Sequence, residues 1–418
     1  MKRPPLSAPK TLQDVDADLL RGAAVALRAD FNVPLDGGRV ADAARIERTI
    51  PTIEYLVAAG SRVVILSHLG RPGGRMRSEL TLRPVADCLD GLVEAPVVFL
   101  PHVGGDAVRD AVAGMVGGSV LLLENTRFLP GETAGDPALA ADWARWADHF
   151  VLDAFGTAHR AHASTDGLPR AVRGKGGEAV AGFLVAVELD VLGGVLGDPG
   201  RPFAAVIGGA KISGKIDVIE ALLPRVDMLL VGGAMANTFL LAMGMETGGS
   251  LVEPDRADVA RRILEAAGPR LLLPVDCVVA ASLAPGVETR SVDRTAVRAE
   301  DVIGDVGPVT AELFRTCLSK AVTIVWNGPM GAFEIDAFAA GTRAVSVSAA
   351  AAAEAGATVI IGGGDSVAAV RSAGVASRIS HISTGGGASL DLLAGKALPG
   401  LEALSDRTRA GNSRGTEA

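Results

Sequence analysis

Residues 203–233 read FAAVIGGAKISGKIDVIEALLPRVDMLLVGG, and the fold follows from how this stretch is punctuated. A short apolar run, FAAVIG, closes on glycine; an amphipathic segment follows; a second apolar run, MLLVGG, closes on glycine again. Strand, helix and strand in that order make the crossover unit of a parallel sheet. The same punctuation recurs outward in both directions. Upstream, AAVALR (23–28), RVVILS (62–67), PVVFL (96–100), SVLLL (119–123) and HFVLD (149–153) read as strands. Downstream, DCVVAA (276–281), VTIVWN (322–327), TVIIGG (358–363) and ISHIST (379–384) complete a second set. The fold class expected is therefore α/β, with two doubly wound, mainly parallel, Rossmann-like domains joined by a helix and a hinge.

Between the sets lies GFLVAVELDVLGGVLGDPGRP (182–202), in which Leu184, Val187, Val191 and Leu192 fall at helical spacing before Gly193 and the Asp198-Pro199-Gly200 turn. We expect an N-terminal domain over 1–185, an interdomain helix and connection over 186–202 and a C-terminal domain over 203–390. A C-terminal segment, 391–418, is expected to return toward the first domain and then fray; the N-terminal MKRPPLSAPKTLQDVD reads as a loose arm. A chain of 418 residues exceeds what one core usually serves, and 49% hydrophobic content supplies two.

Composition excludes several functions. A formal net charge of −8 argues against general affinity for nucleic acid or anionic membrane, so an anionic ligand must be drawn by a local cationic cluster. Cys88, Cys277 and Cys317 form neither a paired framework nor a zinc spacing, which fits a reducing compartment. No apolar stretch reaches a membrane span, even SVSAAAAAEAGA (346–357) breaking on Glu354 and Gly356, and the N-terminus lacks the apolar run of a secretory signal. The expectation is a cytoplasmic protein.

The chemically loaded residues follow the apolar runs, where ligands of open α/β sheets bind. In the first half these are Arg28, Arg45, Arg71, Arg127 and Arg160, with His68, His159 and His162. Arginine's planar fork suits carboxylate and phosphate oxygens. A single arginine here would read as a solvated residue or a partner of Asp30 or Glu124, but five at strand ends read as a shared anion site. Asp30 and Asn32 could orient a substrate hydroxyl, and taken alone they read as a turn. The histidines of GTAHRAHAST, with no neighbouring carboxylate, suit phosphate or arginine positioning better than a metal.

In the second half, GGAKISGKI (208–216) should open a helix with amides exposed to phosphate. It is not a true P-loop, because Ile216 stands where a magnesium-binding hydroxyl belongs. Lys211 and Lys215 are expected on one helical face; two such lysines are commonly just solvated, but the Gly-Gly strand exit favours a phosphate role. GGGDS (362–366) and STGGGAS (383–389) are further glycine-rich exits that admit phosphate close to backbone N–H groups. Asp365 is a candidate Mg²⁺ ligand or a helix cap. Glu334, after Asn327 in WNGPMGAFE, could accept from ribose hydroxyls or face solvent.

Together RADFNVPL, SHLGRP, ENTRF, DAFGTAHRAHAST, GGAKISGK, WNGPMGAFE, GGGDS and STGGGASL, in this order from about Arg28 to Leu398, resemble the phosphoglycerate kinase family. The resemblance implies reversible transfer of a phosphoryl group between 1,3-bisphosphoglycerate with ADP and 3-phosphoglycerate with ATP, with Mg²⁺, by a monomer. It further implies direct in-line transfer after hinge closure. Carried over by motif, Arg28, Asp30, Phe31, Asn32, Arg45, His68, Leu69, Gly70, Arg71, Arg127, His159 and Arg160 would hold the phosphoglycerate. Gly209, Lys211, Lys215, Asn327, Glu334, Gly363, Gly364, Asp365 and Ser366 would hold the nucleotide, with Asp365 toward the metal. Arg45, Lys211 and Lys215 would act on the migrating group, with amides of Gly385, Gly386 and Gly387 as further donors. The chain departs from the family pattern at Gly73, where lysine is frequent, at Gly214, where aspartate is frequent, and in DVIGDVGPVT (301–310). A Rossmann dehydrogenase is the rival enzyme reading, opposed by the lack of a full G-x-G-x-x-G exit with an acid about 20 residues on. A catalytically silent sugar-phosphate or nucleotide binder is a third reading, opposed by the joint presence of Arg45, Lys211 and Asp365.

Overall fold

The computed structural model describes residues 9–407. The expected fraying after residue 407 and the loose arm over residues 1–8 lie outside them. The chain forms two compact units, Met1–Asp190 with Ala397–Ala418, and Val191–Lys396. Among the described residues, each unit carries one six-stranded parallel sheet.

In the first unit the strand order is Val97–Leu100, Val120–Leu123, Arg62–Leu66, Ala24–Ala29, His149–Asp153 and Ala179–Ala181. Leu27 stands in register with Ile65 on one side and Val151 on the other. The central strand is buried at every position, which is why its residues 24–27 read as an apolar run without alternation before Arg28. Its side chains Val25 and Leu27 join Ile53, Leu56, Val63, Ile65, Leu82 and Leu89 in one core. The strand Ala179–Ala181 was not expected from sequence, three residues being too short to show a pattern. It is joined at its end by the returning chain, where Ser405 N donates to Ala179 O at 2.7 Å.

The second unit orders its sheet Leu271–Leu272, Met228–Val231, Phe203–Ile207, Thr323–Asn327, Thr358–Gly362 and His381–Ile382. Trp326, Val206, Leu230 and Ile361 meet Phe314 and Leu318 in its core. One strand departs from expectation. Asp276–Ala280 pairs antiparallel with Arg290–Asp293 and Val302–Val306 in a separate three-stranded sheet. Its Cys277 and Val279 pack with Leu240 and Val297 in a small core of their own. A five-residue apolar run states that a strand exists but carries no information on its direction, which only the partner sets.

The helix Phe183–Gly197 runs on through Gly193 and Gly194, where the sequence suggested a stop. Its first turn is held by Asp153, whose Oδ1 accepts from Leu184 N at 2.9 Å and Val185 N at 3.3 Å.

Candidate functional site

In the first unit, parallel pairing places the carboxyl ends of the strands on one edge, so RADFN, SHLGR, ENTRF and DAFGTAHR all emerge there. Short polar links lock these exits together. Phe31 N donates to Ser67 Oγ (2.9 Å), Gly70 N to Asn32 Oδ1 (2.8 Å), Asn125 Nδ2 to Leu69 O (2.8 Å) and Arg127 Nη1 to Gly70 O (2.8 Å). Arg45 Nη1 donates to Asp30 Oδ2 at 2.6 Å while its side chain stays 44% exposed. Among the described residues Glu124 pairs with no arginine; it accepts from Thr81 Oγ1, Leu82 N and Asn125 N.

Arg28 is wholly buried beneath this surface. Its Nε donates to Ser164 Oγ at 2.8 Å, its Nη1 to Ala29 O, and its Nη2 meets His68 Nδ1 at 3.1 Å. A guanidinium can only donate, so Nδ1 of His68 is the acceptor and the proton of the neutral ring sits on Nε2. Burial, reinforced by Arg28, Arg127 and Arg45, holds the His68 pKa well below 6.5, so the ring is neutral at pH 7. Burial, with Arg28 and Arg160 adding to it, brings Arg127 down to about 10, which leaves it cationic. Its Nε is buried without a partner among the described residues. Burial also takes His162 down to about 4 despite the opposing pull of Glu132.

The carboxylate missing from the local sequence around His162 is supplied from elsewhere: Glu132 Oε1 lies 3.9 Å from its Nδ1. Glu132 is itself wholly buried and accepts from Ser164 N (2.9 Å), Ser164 Oγ (2.6 Å) and Thr126 Oγ1 (3.3 Å). Sequence reasoning passed over Glu132 and Ser164, because neither residue type in LPGETAGD or AHAST is distinctive until its burial is known. Arg160 is exposed, its Nε 3.2 Å from His159 Nε2, and Arg71 is exposed as well.

In the second unit the exits of Phe203–Ile207, Thr323–Asn327 and Thr358–Gly362 converge. Lys211 and Lys215 do not share a helical face as expected. The helix is Ile216–Leu222, and the two lysines lie before it, Lys211 in irregular chain and Lys215 at the end of a turn over 213–215. Gly209, at φ +103°, bends the chain away from helical geometry, and the Lys215 ammonium reaches back to Gly208 O (2.6 Å) and Asn327 O (3.0 Å). Burial lowers the Lys215 pKa from 10.5 to about 8, against the influence of Asp365. Burial pushes the Glu253 carboxyl up, but hydrogen bonds from Ser213 and Ile212, with exposed Lys211 adding to them, hold it below its usual value.

Asn327 Nδ2 donates to Gly362 O (2.8 Å) and Ser366 Oγ accepts from Gly328 N (2.6 Å), joining two exits. At Gly363, φ +91°, a Cβ would stand 2.7 Å from Asn327 Nδ2, so glycine is required. The helix Gly364–Ser372 follows with Asp365 exposed in its first turn. Gly386, φ +51°, precedes the helix Gly387–Leu393, and Gly385 N donates to Ser383 Oγ at 3.0 Å. A cavity of about 260 Å³ in this unit is lined by Gly209, Gly233, Ile303, Asp305, Glu334 and Asp365 among others. Asp305, also unforeseen, accepts from Gly341 N (2.6 Å) and Val306 N (2.9 Å), and burial raises it to about 7.

Two strand-exit clusters, one cationic and one glycine-rich with lysines, suit phosphate-bearing ligands. A family profile described as phosphoglycerate kinase matches residues 12–396. The chain belongs to the phosphoglycerate kinase family. It is 50% identical to the phosphoglycerate kinase of Pelotomaculum thermopropionicum over 403 residues, covering 96% of this chain and 100% of that one. The Chloroflexus aurantiacus phosphoglycerate kinase is 51% identical over 403 residues, covering 95% and 99%. Among solved structures, phosphoglycerate kinase from Coxiella burnetii aligns with a TM-score of 0.83 at 39% identity, covering 94% of this chain and 98% of that one. That from Pyrococcus horikoshii aligns at 0.79 and 33%, with the same coverage. The family's reaction is that of this chain: phosphoryl transfer between 1,3-bisphosphoglycerate and ADP in glycolysis, with a carboxyl group as acceptor in reverse.

Proposed function

We propose that the first unit binds the phosphoglycerate and the second the nucleotide, and that the phosphoryl group passes directly between them. The supporting observation is the linked array of Arg45, Asp30, Asn32, Gly70, Arg127, Arg28 and His68 at one sheet edge. Arg45, Arg71, Arg127 and Arg160 take the carboxylate and phosphate oxygens. Asp30, Asn32 and the Phe31, Leu69 and Gly70 backbone shape the surround, and His159 positions Arg160. Arg28, whose N–H groups are engaged inside the protein, acts from beneath by positioning in place of the direct contact expected from sequence.

In the second unit the amides of Gly363, Gly364, Asp365 and Ser366 open a helix N-terminus onto the nucleotide phosphates, and those of Gly386 and Gly387 donate to the migrating group, while Gly385, whose N–H is engaged by Ser383 Oγ, shapes the turn in place of the donation expected from sequence. Glu334 and Gly209 line the cavity that receives the nucleoside. Asn327 and Ser366 hold the two exits in register. A lone Asp365 carboxylate fits a magnesium ion that arrives on the nucleotide, since magnesium is usually held by one or two carboxylates plus phosphates. Bound there, Mg²⁺ would offset the charge of the nucleotide phosphates.

Phosphoryl transfer asks for alignment and for donors aimed at the equatorial oxygens. Arg45 and Lys211, exposed and cationic, supply these from the two ligands' sides, with Lys215 behind the Gly208 exit. The ligands must meet for direct transfer, so the reading includes a hinge closure that also excludes water from the acyl phosphate. The enzyme works as a cytoplasmic monomer, a state that light scattering at 42.5 kDa would check. No helix among the described residues is long and apolar enough to cross a membrane.

The test is a coupled ATP assay with 3-phosphoglycerate on purified protein. Arg45→Ala and Lys211→Ala should each lower kcat by about 10² to 10⁵, the range for losing a transition-state donor or arginine. A variant within twofold of wild type removes that residue from the mechanism.

A further inference from the structure

Among the fully buried charged groups of the first unit is a carboxylate shielded from solvent, Glu132. Glu132, in the short helix Pro130–Ala134, is wholly buried and lies in a line of polar atoms leading to His68. Ser164 O–H donates to Glu132 Oε1 at 2.6 Å, which turns a hydroxyl lone pair toward Arg28 Nε–H at 2.8 Å. Arg28 is planar, so fixing Nε also fixes Nη2, which donates to His68 Nδ1 at 3.1 Å. His68 Nε2 makes no hydrogen bond to any described residue. We propose that Glu132 is a positioning residue for phosphoglycerate: through Ser164 and Arg28 it holds His68 in the tautomer that offers Nε2–H to an anion. The inference rests on the reading that this edge binds phosphoglycerate.

Two physical effects of losing the Glu132 charge have opposite signs. By Coulomb's law alone, removing a negative charge beneath a cationic surface strengthens anion binding. By the positioning argument, freeing the Ser164 hydroxyl lets Arg28 rotate, His68 loses its fixed donor, and binding weakens. The direction of the change therefore separates a background charge from a positioning group.

The experiment uses the full chain labelled with ¹⁵N-histidine, with the tautomer of His68 read by NMR and affinity for 3-phosphoglycerate by calorimetry. Wild type should show a single Nε2–H tautomer. In Glu132→Gln and Ser164→Ala the tautomers should mix and affinity should fall about tenfold, the scale of one hydrogen bond to a charged group. KM for ATP should stay within about twofold, which a general loss of structure would not allow. An unchanged His68 tautomer in both variants, or tighter binding by Glu132→Gln, overturns the proposal. Removing the partner of a buried cation can prevent folding. In that event Ser164→Ala, which leaves both charges in place, decides alone. Arg127→Ala serves as the control on the ligand: full affinity in that variant would sink the assignment of this edge to phosphoglycerate. Lost affinity there, with Glu132→Gln and Ser164→Ala unaffected, would sink the relay only.

Discussion

Lys215 shows how a single side chain can be read wrongly from spacing and rightly from its surroundings. Its ammonium is drawn inward to Gly208 O and Asn327 O, and burial takes it to about 8. Above that value the free enzyme loses a cation beside the glycine-rich exit, so kcat/KM for ATP should decline as pH rises past about 8. Stability moves the other way. Between about 8 and 10.5 the unfolded chain keeps a proton that the folded one releases, so this group makes folding more favourable as pH rises across that window. In Lys215→Arg, whose guanidinium stays charged, the alkaline fall in kcat/KM should vanish. A fall of the same midpoint in that variant would assign it to another group. The arginines and Lys215 were legible as candidates from sequence because their chemistry is in their type; the inward turn of Lys215, and Glu132 and Asp305 altogether, were not, because these come from burial.

At the scale of elements, the helix Phe183–Gly197 begins on a buried carboxylate. Asp153 accepts from Leu184 and Val185, and burial raises its pKa from 3.8 to about 7, its second oxygen having no hydrogen-bond partner among the described residues. A carboxyl with a raised folded pKa contributes stability that is complete below about 3.8 and is lost as pH climbs through about 7. Asp153→Asn keeps an oxygen for the helix amides and carries no charge. Its Tm should match wild type near pH 4 and exceed it increasingly toward pH 8, by roughly 2–4 °C per kcal/mol. A Tm difference independent of pH would show that the carboxyl does not titrate there. The strands themselves were legible where both faces are buried, as in Ala24–Ala29, and their direction was not, as Asp276–Ala280 demonstrates.

At the scale of the molecule, a chain of net charge −8 acts on anions, so attraction must be local. Local attraction between exposed charges is screened over a Debye length of about 8 Å at physiological salt. KM for 3-phosphoglycerate should therefore rise several-fold between about 0.05 M and 0.5 M inert salt, a range in which buried hydrogen bonds are little affected. A flat response would mean that the exposed arginines Arg45, Arg71 and Arg160 do not recruit the substrate. Residue type and order along the chain were enough for two parallel sheets, for strand exits rich in arginine or glycine, and for the family, since each of these is local information. Three-dimensional packing alone brought Ser164 to Arg28 across 136 positions and to Glu132 across 32. It also turned Lys215 inward and set 276–280 in its own antiparallel sheet. Partners so distant are chosen by which groups are dehydrated together, and dehydration exists only once the chain has folded.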